Sequence, residues 1–150
     1  MVIVSPRAAG RNCAGMALLR DRAGRTLVAI REVLPTANPT EATLMMVWRL
    51  LREAQRQRVS RVAVHLSDGR AARILARQEE APPELAQWYF AARTASNRLG
   101  SVRFRALGQR YVERLKGAVQ RAVEESQSRR LSLFSEEEDE AQAAPNSNVA

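Results

Sequence analysis

The junction Asn38-Pro39-Thr40-Glu41 constrains this chain more than any other four residues, because it fixes where a helix begins and what stands at its mouth. Asn38 can cap the helix through its side-chain oxygen, Pro39 suits the first helical position, where no amide donor is needed, and Glu41 falls at the third, completing a capping box. Beyond it Leu44, Val47, Trp48, Leu51 and Ala54 recur at three and four, one face of a helix from Thr40 to about Gln57. Arg49, Arg52, Arg56 and Arg58 fall largely off that face, while Met45 and Met46 sit on its shoulder. Glu41 therefore has two readings, a cap carboxylate and nothing more, or a carboxylate presented at the helix mouth for chemistry.

Upstream the chain reads as strands. Val2–Val4 is a short apolar run ended by Ser5-Pro6; a loop with Gly10, Asn12 and Gly15 follows; Met16–Arg20 and Thr26–Arg31 then flank the turn Asp21-Arg22-Ala23-Gly24. Downstream, Val62–Leu66 is a β-branched run bounded by Ser67-Asp68-Gly69, and it pairs parallel because a helix precedes it. Arg70–Gln78 is a short helix stopped near Pro82-Pro83, and Glu84–Asn97 is another, burying Leu85, Trp88, Ala92 and Ala95. Ser101–Ala106 alternates Val102 and Phe104 against Arg103 and Arg105, as a half-exposed strand does. A last helix, Gln109 to about Glu125, carries the stripe Tyr111, Val112, Leu115, Ala118, Val119, Ala122 and Val123. This order predicts an α/β domain over 1–125, a mixed five-stranded sheet with helices packed on it. Residues 126–150, rich in Ser, Glu, Ala and Asn, cannot bury enough apolar surface to offset chain entropy and are expected to be a disordered acidic tail.

A length of 150 residues with 45% hydrophobic content allows one ordinary domain. The net charge of +8 understates how basic that domain is. Glu136, Glu137, Glu138, Asp139 and Glu140 lie in the tail, leaving 24 basic residues against 11 acidic ones before Ser135, a balance of +13. All but Lys116 of the basic residues are arginine, whose planar fork suits phosphate, so nucleic acid is the leading partner class. The competing class is a protein-interaction module in which the arginine is compositional. The single Cys13 excludes an internal disulfide and, with the lone His65, leaves no zinc pattern. No apolar run approaches a membrane span, and Arg7 follows too soon after Val2–Val4 for a signal-peptide core, so a cytoplasmic location without membrane contact is expected.

Three local patterns in this order resemble the ribonuclease H family from Val2 to about Val123. GRNCAGMALLRDRAGRTLVAI looks like the family's glycine-rich turn with its second and third strands; TANPTEATL looks like the start of its first long helix, with Glu41 at the metal-binding glutamate; VAVHLSDGRAARIL looks like its fourth strand and following helix. The resemblance implies a ribonuclease H-like fold. It also implies a family activity, cutting the RNA strand of RNA–DNA hybrids with two Mg²⁺ ions held by four carboxylates, at the ends of strands one and four and in the first and last helices. Two divalent cations within about 4 Å of each other require clustered anionic oxygens. Here the first position is Ser5; the fourth strand offers Ser67 in gapless register and Asp68 one residue later; the last-helix position falls near Leu115, with Glu113 the nearest carboxylate. Glu41 and Asp68 are thus the candidate catalytic and metal-binding residues, and the expectation is a degenerate site that does not cleave hybrids normally. The alternative is an active Mg²⁺-dependent endonuclease with a site rebuilt from Glu41, Asp68 and Glu113 or Asp21, though Asp21 also suits the opening of a hairpin turn.

Arg7, Arg11 and Asn12 in the first loop, with Arg70, Arg73 and Arg77 after the fourth strand, form the expected surface for an RNA–DNA hybrid or duplex. Each arginine alone is also an ordinary solubilising residue. Tyr89 is the expected base-stacking residue beside a core Trp88, Cys13 a loop residue, and His65 a strand residue facing a helix or solvent. In the tail, Arg130-Leu131-Ser132-Leu133-Phe134 resembles the peptide by which bacterial proteins dock into the sliding clamp, usually with glutamine at the first position. The other reading is that Leu131, Leu133 and Phe134 fold back onto their own core.

Overall fold

Gly15 shows how tightly the first helix sits on the sheet. A Cβ there would stand 2.9 Å from Leu34 Cδ1 and 2.9 Å from Met46 Cγ, so only glycine lets the helix approach this closely. The computed structural model describes residues 1–7 and 10–142, with side chains as far as Leu131. Its strands are β1 (Val2–Pro6), β2 (Cys13–Arg20), β3 (Thr26–Leu34), β4 (Arg61–Leu66) and β5 (Ser101–Ala106); its helices are α1 (Pro39–Arg56), α2 (Gly69–Leu75), α3 (Ala86–Asn97) and α4 (Gln109–Gln142). A single 3₁₀ turn, Pro83–Leu85, precedes α3.

The sheet order is β3-β2-β1-β4-β5. β1, β2 and β3 pair antiparallel, and β4 pairs parallel with both β1 and β5, the mixed sheet expected from the order of elements. The strands run longer than the hydrophobic runs suggested. β2 starts at Cys13 and includes Gly15, because a strand buried on both faces needs no polar alternation; Cys13 is therefore a fully buried strand residue and not a loop residue.

The two faces of the sheet are covered differently. Val2, Val4, Ala17, Leu19, Val64 and Leu66 pack beneath α1, α2 and α3, while Ile3 and Ala14 pack against Val119 and Val123 of α4 on the other side. α1 is buried nearly all round its first three turns because α3 covers its back, with Trp48 and Trp88 tilted against each other at 5.7 Å. Tyr111 is 42% exposed and leaves the expected stripe of α4, since the helix meets the sheet only from Val112 onward.

Composition placed the end of the last helix near Glu125, and helical backbone continues to Gln142. Past Val123, however, no described side chain is buried, so the packed body ends where the composition changes. Leu131 is 69% exposed and is not part of the core; Leu133 and Phe134 have no described side chains.

Candidate functional site

The C-terminal ends of β1 and β4 meet the N-termini of α1 and α2, which brings Ser5, Ser67, Asp68, Thr40 and Glu41 to one end of the sheet. Polar side chains there are consumed in joining the elements. Ser67 accepts the Val4 amide at 3.0 Å through its hydroxyl, stitching β4 to β1 where their ladder ends. Asp68 caps α2, accepting the Ala71 amide at 2.8 Å, and both its oxygens accept from the buried Thr40 hydroxyl at 3.2 Å. Asp68 is thus the N-cap of the second helix and its link to the first.

Glu41 stands next to that link. Asn38 Oδ1 accepts from the Thr40 and Glu41 amides at 3.0 and 3.4 Å, as the cap pattern predicts. The return arm of the capping box differs: the Asn38 amide donates to Thr36 Oγ1 at 3.1 Å, and Thr36 in turn donates to Glu41 Oε2 at 2.6 Å. Thr36 fits between cap and carboxylate because its loop folds back at Leu34, whose carbonyl accepts the Thr36 amide at 2.8 Å. The Glu41 charge is also felt by Cys13, whose thiol is raised above its ordinary range first by burial and then by that carboxylate.

Opposite these groups, on the α4 side, Gln120 donates through Nε2 to Ser5 Oγ and to the Pro6 carbonyl, each at 2.8 Å. The family resemblance put the last-helix position near Leu115; the structure puts Leu115 more than a turn earlier, against the α4-side core, and makes Gln120 the residue that reaches the end of β1. The signal for it was an uncharged polar residue directly after the buried Val119. Glu113 is exposed, bonded to Gln109 and Lys116 of its own helix, and lies about 10 Å along the axis from Gln120. Asp21 closes the β2–β3 turn at the other end of the sheet by accepting the Arg25 amide and Nε at 3.0 and 2.8 Å. Among the described residues, no three His, Cys, Asp or Glu side chains gather where they could hold a metal ion.

The expected basic surface is divided. Arg11 is exposed and Arg7 half-buried, in a turn closed by Arg7 N to Asn12 O at 3.1 Å. Asn12 Oδ1 is shielded from solvent and has no hydrogen-bond partner among the described residues. Arg70 and Arg73 share one carboxylate, their Nε atoms reaching Glu79 at 2.9 and 3.1 Å, and these bonds hold the Glu79 carboxyl below its usual range. Arg77 has no such partner among the described residues, while Phe90, at 65% exposure, is the open aromatic of α3; Tyr89 is half-buried against the core. Among the described residues no helix is long and apolar enough to cross a membrane.

This arrangement is a ribonuclease H-like fold. LC11-RNase H1, isolated from compost and solved in complex with an RNA/DNA hybrid, superposes with a TM-score of 0.70 at 14% identity, over 83% of this chain and 95% of that one. The N-terminal RNase H domain of a Mycobacterium tuberculosis protein matches at 0.67 and 11% identity, over 75% and 87%. RNase H1 from Halobacterium salinarum matches at 0.66 and 13%, over 75% and 86%. No family model matches the chain, and no curated protein matches it in sequence. The kinship is one of fold.

Proposed function

We propose that this protein binds nucleic acid on a ribonuclease H-like domain that has lost normal hybrid cleavage. The observation that carries the reading is the neutral Gln120–Ser5 pair at the end of β1. The remaining carboxylates do not fit a pair of divalent cations: Glu41 is engaged by Thr36, and Asp68 is spent on the Ala71 amide and the Thr40 hydroxyl. Two Mg²⁺ ions there would face an amide and a hydroxyl where anionic oxygens are required, leaving their mutual repulsion uncompensated.

Retained binding is supported by the charge of the body and by the fold it shares with an enzyme solved on an RNA/DNA hybrid. Fluorescence anisotropy with labelled RNA–DNA hybrid, DNA duplex and single strand tests it. Affinity should fall steeply between low and physiological salt, as phosphate contacts release counterions. Arg7→Ala with Arg11→Ala should weaken hybrid binding regardless of sequence. Salt-independent binding, or none, would favour a protein-interaction module instead.

The segment Arg130–Phe134 is further proposed to dock a bacterial sliding clamp. The exposure of Leu131 supports this over burial in the protein's own core. Docking requires an extended chain, and among the described residues beyond Val123 no buried side chain opposes local unwinding.

A further inference from the structure

Arg77, Arg93, Arg103 and Arg105 line one shallow depression at the β5 edge of the sheet, floored by Leu75 and Phe104, with no carboxylate among its lining residues. It lies at the end of α2 remote from Asp68, about 10 Å along the helix axis. None of the four arginines joins an ion pair among the described residues, in contrast to Arg70 and Arg73 earlier on the same helix. Two are held in place by the fold. Arg93 donates through Nη1 to the Leu75 carbonyl at 3.2 Å, and its Nε is shielded from water with no acceptor. Arg77 follows the α2 C-cap in the left-handed region at φ 60°, its amide bonded to the Ile74 carbonyl at 3.1 Å.

Four arginines bordering one depression with no carboxylate among its lining residues concentrate positive charge there. An anion with several oxygens offsets that charge. Planar guanidinium forks match phosphate oxygens, and β5 is an edge strand, so an extended polyanion can run along it unobstructed. We propose that this depression is a phosphate-binding site that takes the phosphodiester backbone of a nucleic-acid strand, apart from the sheet end where Ser5, Glu41 and Asp68 meet. The source of the phosphates rests on the nucleic-acid reading above; the anion site itself does not.

The test compares the full chain with Arg103→Gln/Arg105→Gln, two exposed positions, and with Arg77→Gln as a second variant, each checked by thermal melting. Binding of labelled RNA–DNA hybrid is followed against salt, and binding of inorganic tripolyphosphate by calorimetry. The expected result is about a tenfold loss of hybrid affinity in the double variant, a salt slope reduced by about 1 to 2, and loss of tripolyphosphate binding. Hybrid binding and slope unchanged in both variants would overturn the site while leaving the nucleic-acid reading standing. Tripolyphosphate binding that depends on these arginines, with no hybrid bound by the native chain, would overturn the nucleic-acid assignment and give the site to free polyphosphate. Neither ligand bound by the native chain would overturn both.

Discussion

Gln120 on the last helix donates to the Ser5 hydroxyl at the end of the first strand, at 2.8 Å, and the same nitrogen reaches the Pro6 carbonyl. Ser5 is 3% exposed, so this pair replaces water for a buried hydroxyl and anchors α4 to the sheet at the point where the site lies. Gln120→Leu should lower stability by about 1–3 kcal/mol, because it strands the buried Ser5 hydroxyl. Ser5→Ala combined with Gln120→Leu should cost less than the sum of the single changes, and urea unfolding of the four proteins measures the difference. Strict additivity would mean the two side chains do not act as a pair.

Arg58 ends α1 in the left-handed region at φ 55°, with the Val59 amide bonded to the Ala54 carbonyl at 3.0 Å, an arrangement that suits glycine. Arg58→Gly should raise stability by about 1 kcal/mol by removing the Cβ penalty. A lower melting temperature would show that the arginine side chain contributes more than its backbone costs.

Cys13 is fully buried, and its thiol is raised by burial and by the Glu41 charge. A raised folded pKa means that the folded state holds its proton where the unfolded thiol has begun to lose it. Stability from this source is therefore complete below the unfolded value of 9.0 and lost as pH rises through the higher folded one. Ellman's reagent should react with the native protein at pH 8 only at the rate of unfolding, and Glu41→Gln should lessen the alkaline loss of stability. Rapid stoichiometric labelling at pH 8 would contradict the burial.

A peptide spanning residues 127–136 should bind a bacterial sliding clamp in the micromolar range or weaker, since a flexible segment loses ordering entropy on docking. Arg130→Gln should tighten it, and Leu133→Ala with Phe134→Ala should abolish it without changing the melting temperature of the whole protein. No clamp binding, with a destabilised double variant, would return these side chains to the protein's own core.

The elements were legible because their periods are clean: the alternation of β5, the spacing of α1 and the Asn38-Pro39 cap all fell where the residues placed them. The ends were less so. A strand buried on both faces has no alternation, so β2 looked shorter than it is, and α4 continues past the residues that pack it. At the site, the family resemblance placed Glu41 and Asp68 at one sheet end. It could not reveal Gln120, because which turn of α4 meets Ser5 depends on how the helix lies across the sheet. Nor could it show that Glu79, beyond the end of α2, would take up Arg70 and Arg73, because that contact requires the chain to turn back on itself.

Binding without cleavage is the central claim, and one measurement addresses it: a labelled RNA–DNA hybrid incubated with the full chain and Mg²⁺ or Mn²⁺, resolved on native and on denaturing gels. The account predicts a retarded complex on the first and an intact RNA strand on the second. Metal-dependent cleavage of that strand, abolished by Glu41→Gln, would contradict it.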